Sequence, residues 1–212
     1  MNETRKDFAY SYIKKNILAD IFRQGQPLIE LELSRELDIS RAPVREALRA
    51  LEAEGLVKSY PGRGTIVAEI SPSDIEEIFE LRVMLETGAL EKSLKHITDT
   101  ELNEVENIFR IAFHSSSLDK LHEADRKLHQ LITSKCGNRR LIEYITILNT
   151  QIERVRKISI QDPNRMLISY EEHLDIISKI KSRDYESCKK ALVSHLRSVS
   201  NSAIEYAKIN KQ

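Results

Sequence analysis

The chain has 212 residues, with 33 Lys plus Arg against 33 Asp plus Glu and a pI near 7.0, so length favours two domains of ordinary core size and charge excludes a broad polybasic surface. Its only cysteines, Cys136 and Cys188, lack paired-motif spacing, which points to a reducing cytoplasm rather than a disulfide scaffold. No stretch approaches the ~20 apolar residues of a bilayer helix, the start MNETRKDFAY carries no apolar signal segment, and no repeat or low-complexity tract occurs.

From Leu31 onward the pattern is short helix, tight turn, arginine-bearing helix and Gly-rich hairpin. Leu33 and Leu37 form an apolar helical stripe, which Asp38-Ile39-Ser40 interrupts before a longer helix begins at Arg41. Ser40 is the expected N-cap, its hydroxyl accepting from the first free N–H groups. Pro43 falls in the first turn, where a missing N–H breaks no helical bond, and Gly55 closes the helix. Val44, Ala47, Leu48 and Leu51 share one arc, while Arg41, Arg45 and Arg49 recur every four residues on a neighbouring one.

A guanidinium fork can donate two hydrogen bonds to guanine O6 and N7, and it suits phosphate equally well. Their place near the start of a recognition helix assigns Arg41 and Arg45 to base edges, and Arg49, one turn deeper, to phosphate. Leu56 to Tyr60 and Ile66 to Ala68 are β-prone runs joined by Pro61-Gly62-Arg63-Gly64-Thr65, the signature of a wing. Its glycines permit close backbone approach, and Arg63 suits the negative potential of the minor groove. An RxxxRxxxR row by itself is more often a solvated helix face; turn spacing and wing together decide for DNA. Residues 1–70 balance at eleven charges of each sign, and Arg41 to Thr65 hold five cations (Lys58 among them) against three anions. Binding therefore rests on a local patch, doubled by dimerisation.

With SRAPVREALRALEAEGLV followed by PGRGTIV, the region from about residue 8 to 69 resembles the winged helix-turn-helix of GntR-type bacterial transcription regulators. The resemblance implies binding of double-stranded operator DNA as a homodimer, with Arg41, Arg45 and the wing glycine Gly64 at the DNA, and repression as the commoner mode. Where some relatives carry a further arginine on the preceding helix, this chain has Leu31.

The domain break is Glu69-Ile70-Ser71-Pro72, giving a DNA-binding domain over 1–70 and a second domain over 71–212. Ser73-Asp74-Ile75-Glu76 reads as a capping box opening an all-α bundle. Six helical segments follow: Ser73 to about Lys95, Asp99 to His114, Leu118 to Lys135, Arg139 to Lys157, Asn164 to Lys181 and Asp184 to Lys208. Thr98-x-x-Glu101 caps the second, Gly137 separates the third from the fourth, and Pro163 precedes the fifth. The fold class is mainly α.

Polar residues on the apolar faces single this bundle out. Asp125 and His129, four apart, lean toward the arc of Leu121, Leu128 and Ile132; His173 is centred among Tyr170, Leu174, Ile176, Ile177 and Ile180; His195 lies among Cys188, Ala191, Leu192, Leu196 and Val199. Drawn from three helices, these four can converge on a divalent metal, their imidazoles and carboxylate suiting zinc, nickel, copper or manganese. A single histidine on an apolar face is more often a hydrogen-bonded core residue. The D-x-x-x-H, later H and final H-L pattern resembles the ligand set of the FCD effector domain of the FadR branch, and the six-helix count its shorter, VanR-like form. That resemblance implies a metal, with zinc in first place, and a small organic-acid effector beside it. His122 is the rival ligand, while His96 and His114 lie near segment ends, facing solvent.

Arg82 sits amid Ile75, Ile78, Phe79, Leu85 and Ala89 with Glu86 one turn on. It is either half of an i,i+4 ion pair or a bidentate clamp for an effector carboxylate. The reading that follows is a metabolite-responsive regulator, probing DNA with two heads and signalling through residues 69–73. Its rivals are a metal-dependent helical enzyme with a fused DNA-binding domain, which lacks a base partnered to a nucleophile, and a DNA-architectural protein with an inert bundle.

Overall fold

A computed structural model describes residues 4–159 and 165–209. The chain divides into two compact units, Met1–Ser71 and Pro72–Gln212.

The first unit opens with α1 (Arg5–Leu18), whose capping box has the Thr4 hydroxyl accepting from the Asp7 N–H and the Asp7 carboxylate accepting from Thr4. Ala9, Ile13 and Ile17, spaced by four, are its buried stripe. It is followed by β1 (Pro27–Leu28), α2 (Glu30–Glu36), α3 (Arg41–Ala53), β2 (Val57–Tyr60) and β3 (Gly64–Val67). The three strands form an antiparallel sheet in the order β1-β3-β2, with Tyr60 opposite Gly64 and Leu28 opposite Thr65. Ile13, Ile17, Leu33, Val44, Leu48, Leu51, Leu56 and Val67 make one core beneath α3 and the wing. The Tyr10 hydroxyl and the Lys14 ammonium both hold Glu54, tying α1 to the end of α3.

Two local expectations change. Ser40 occupies the N-cap of α3 with extended backbone, but its side chain makes no capping hydrogen bond. The preference there is conformational rather than bonded. Ser73 is not a cap, because the next helix already begins at Pro72, whose ring is compatible with a first turn where no N–H is needed.

The second unit consists of α4 (Pro72–Ser93), α5 (Asp99–His114), α6 (Leu118–Ser134), α7 (Arg139–Ser159), α8 (Arg165–Ser182) and α9 (Tyr185–Ile209). These match the six segments read from apolar periodicity to within about three residues at the described ends; Asn164, the expected start of the fifth, lies outside the described residues. Thr98 and Glu101 form the expected capping box. The central element is α9, which packs on α4, α7 and α8, while α6 packs on α4 and α5. That arrangement brings the inner faces of α4, α6, α8 and α9 together. No described helix is long and apolar enough to cross a membrane.

Candidate metal centre and nucleic-acid interface

Asp125 and His129 of α6, His173 of α8 and His195 of α9 are buried, and one ligand atom from each lies within 4.8 Å of all the others. The three Nε2 atoms face one oxygen: Asp125 Oδ1 stands 2.9 Å from that of His173, 3.4 Å from that of His129 and 4.0 Å from that of His195. The opposite ring nitrogens are tied down. His129 Nδ1 meets Glu86 Oε2 at 2.6 Å, His195 Nδ1 meets Glu172 Oε2 at 2.8 Å, and His173 Nδ1 lies 3.3 Å from the Ser169 hydroxyl. For His129 and His195 a carboxylate thus fixes the proton on Nδ1 and leaves the Nε2 lone pair facing inward. Both of those Nε2 atoms are buried without a hydrogen-bond partner among the described residues.

Charge around the cluster is ordered. The Arg156 guanidinium approaches Asp125 Oδ2 at 2.7 Å, a charge contact without hydrogen-bond alignment, which leaves Oδ1 for the imidazoles. Burial alone would raise the Asp125 carboxyl, but Arg156 and His129 outweigh it and hold the group well below the usual carboxylate range. Glu86 follows the same logic: against the cost of burial, Arg82 and His129 bring it to about 2. Burial lowers His173 and His195 below the ordinary imidazole value, His195 further because two other histidines adjoin it. Three imidazoles and an ionised carboxylate, aimed inward and anchored from behind, are the donor set of a divalent ion. The residues fit.

Other expectations fall out as follows. His122 belongs to the wall of an adjoining cavity rather than to the cluster, and His96 and His114 are exposed. Arg82 is 1% exposed and donates from Nε to Glu86 Oε1 at 2.6 Å, so it meets the cluster through Glu86. It does not line the cavity; its Nη1 and Nη2 are buried with no hydrogen-bond partner among the described residues. The cavity has a free volume, open mouth included, of about 500 Å³ and is bounded by Phe109, His122, Arg156, Arg165, Tyr170 and Val199 among others, with Asp125 and His173 on its inner wall. Sequence reasoning missed Glu172, Arg156 and Arg165. Periodicity shows which way a side chain faces but not which residue of another helix meets it.

In the first unit Arg41, Arg45 and Arg49 lie along the exposed side of α3, Lys58 is exposed on β2, and Arg63 is at the wing tip with Gly64 beginning β3. Gly62 and Gly64 have φ of 74° and 87°, the left-handed region that side chains disfavour. The wing is tied to the recognition helix by Glu52, which accepts from the Ser59 N–H at 2.7 Å. Arg45 is held bidentately by Glu30 of α2, at 2.8 and 2.7 Å, a contact the arginine row did not announce.

Comparison with known proteins gives the same two parts. A profile described as FCD domain matches residues 77–198, and one described as bacterial regulatory proteins, gntR family, matches residues 5–67. The chain belongs to the GntR family and carries an FCD domain. It is 31% identical over 198 residues to the HTH-type transcriptional repressor RspR of Escherichia coli K12, covering 91% of this chain and 86% of that one. It is 27% identical over 190 residues to the HTH-type transcriptional regulator YdhC of Bacillus subtilis, covering 88% and 85%. In fold it is similar to a GntR transcriptional regulator from Rhodococcus sp. RHA1, with TM-score 0.79, 20% identity and 95% and 98% coverage. It is also similar to the metal-free FCD domain of another transcriptional regulator, with TM-score 0.62, 26% identity and 67% and 99% coverage. These relatives are regulators, which sets the enzyme alternative aside. The chain is a DNA-binding transcription regulator, not an enzyme.

Proposed function

We propose that this GntR-family regulator binds a two-fold symmetric operator as a homodimer, as a repressor, and releases or grips it according to a small carboxylate bound beside a divalent ion, zinc in first place. The observation that carries the reading is the Asp125, His129, His173 and His195 constellation, with two inward Nε2 atoms left without partners. Bound there, a divalent ion supplies open coordination positions for a carboxylate oxygen. Among this chain's own residues, Glu86 and Glu172 orient the imidazoles, Arg156 holds Asp125, and the two unpaired Nη groups of Arg82 are suited to a second carboxylate oxygen. Arg41 and Arg45 read bases, while Ser40, Arg49, Lys58, Arg63 and Gly64 position the head on backbone and minor groove. Leu81 and Met84 of α4 and Tyr144 and Ile147 of α7 are exposed apolar side chains on two helices that pack together, a surface that a second copy is suited to cover.

The test is metal analysis of purified protein with operator binding followed by fluorescence anisotropy, with and without candidate acids. About one divalent ion per chain is expected in the wild type and little in His173→Ala or His195→Ala. Equal metal content in all three proteins overturns the reading.

A further inference from the structure

Arg165, the first residue of α8, is 4% exposed and lines the cavity beside the metal ligands. One of its terminal nitrogens, Nη2, donates to Glu172 Oε2 at 2.7 Å, and that same oxygen takes His195 Nδ1 at 2.8 Å. The other, Nη1, is buried with no hydrogen-bond partner among the described residues. A guanidinium N–H out of water and without an acceptor is costly, and native interiors rarely leave one so. The remaining wall is largely apolar, with Phe109, Leu121, Met166, Tyr170 and Val199. Phe109 stacks on the His173 ring at 4.6 Å, so the apolar wall runs up to the ligand cluster.

We propose that Arg165 Nη1 receives a second oxygen of the effector, so that the effector is a carboxylic acid bearing a further oxygen acceptor on an apolar body. This rests on the metal-and-carboxylate reading above and adds to it the residue that selects among acids. Because Glu172 already balances Arg165, the acceptor can be neutral, as in a keto or hydroxy acid, or a second carboxylate; the shared requirement is an oxygen lone pair in reach of Nη1. The Arg165–Glu172–His195 line also joins this selection to a metal ligand. An effector that draws on Arg165 draws on the carboxylate that orients His195.

The experiment is calorimetric titration of metal-loaded full-length protein with pentanoate, 4-oxopentanoate and pentanedioate, with metal content measured on every sample. Pentanoate binds through its carboxylate alone, and at least one of the other two binds about tenfold tighter or more in the wild type, as a hydrogen bond to a charged donor allows. 4-Oxopentanoate offers a neutral acceptor on C4 and pentanedioate a charged one on C5, so their order identifies which combination of charge and reach the site takes. In Arg165→Met that gain is lost while pentanoate affinity stays within about threefold. A purely structural Arg165 weakens all three acids alike, and that result overturns the proposal, as does a gain that survives the substitution. Should Arg165→Met lose the metal, the wild-type ranking alone decides: equal affinity for the three acids overturns it. Failure of pentanoate itself to bind metal-loaded protein strikes instead at the carboxylate reading on which this one stands.

Discussion

At the scale of single residues, the two halves of the molecule use the same device, an arginine or histidine pre-oriented by a carboxylate. In the reading head, Arg41→Ala and Arg45→Ala should each cost about 1–3 kcal/mol of operator binding and flatten sequence preference, whereas Lys58→Ala should weaken all sequences alike. Equal, sequence-blind losses in anisotropy titrations would remove the base-reading assignment. In the bundle, Glu172→Gln should lower metal affinity by about 10- to 100-fold, because the anion that fixes the His195 proton on Nδ1 becomes a neutral amide, which can donate as well as accept. Competition with a chromophoric chelator measures it, and an unchanged affinity rejects Glu172 as the anchor. Arg82 needs a gentler substitution. Arg82→Ala leaves Glu86 buried without its cation, at about 3–5 kcal/mol, so Arg82→Lys is the variant for effector studies.

The elements were legible where the sequence carries period and punctuation. The bundle helices announce themselves by apolar stripes such as Leu121, Leu128 and Ile132, and by breaks at Thr98, Gly137 and Asp184. The strand β1 is two residues long and shows no alternation; it exists because β3 offers an edge to Pro27 and Leu28. Ser73 misled because a Ser-x-x-Glu pattern inside a first turn looks the same as one at a cap. The wing makes a prediction of its own. Glu52→Ala removes the side-chain hydrogen bond from α3 to the Ser59 amide, so amide hydrogen exchange across β2 and β3 should quicken with little change in Tm. Unchanged exchange at the wing would show that the sheet pairing alone holds it.

For the molecule as a whole, the cluster of Asp125, His129, His173 and His195 was foreseeable because each is a polar intrusion on an apolar arc. The resemblance to FCD domains supplied what periodicity cannot, the meeting of three helices. Their anchors Glu86, Glu172 and Arg156 come from α4, α8 and α7, and only the packing of the bundle pairs them with the ligands. The packed centre also sets a pH response. Glu86, near 2, and Asp125, well below its ordinary value, stabilise the fold above the normal carboxyl range and lose that contribution as pH falls through their folded values. His173 and His195, lowered from 6.5, act in the same direction, contributing fully above that value and losing it as pH falls toward their folded values. The Tm of metal-free protein should therefore fall as pH drops from about 7, first with the imidazoles and later with the carboxylates. A flat Tm between about pH 7 and 5 would contradict this assignment. Effector and operator are bound to each other by linkage: an acid that shifts operator affinity by some factor must have its own affinity shifted by that factor when operator is present. Calorimetry with and without operator measures both sides, and an acid indifferent to operator is no effector.

The Glu30–Arg45 fork bears on how such a protein finds its site. While the fork is closed, the pair is neutral and Arg45 displaces no counterion from the duplex, which trims about one phosphate's worth from the salt dependence of binding to arbitrary DNA. A guanine edge, presenting two acceptors in the same planar geometry as the carboxylate, is the surface that can take the fork over. If Arg45 reads bases as proposed, sliding along the genome would be kept weak and the arginine committed only where the bases match.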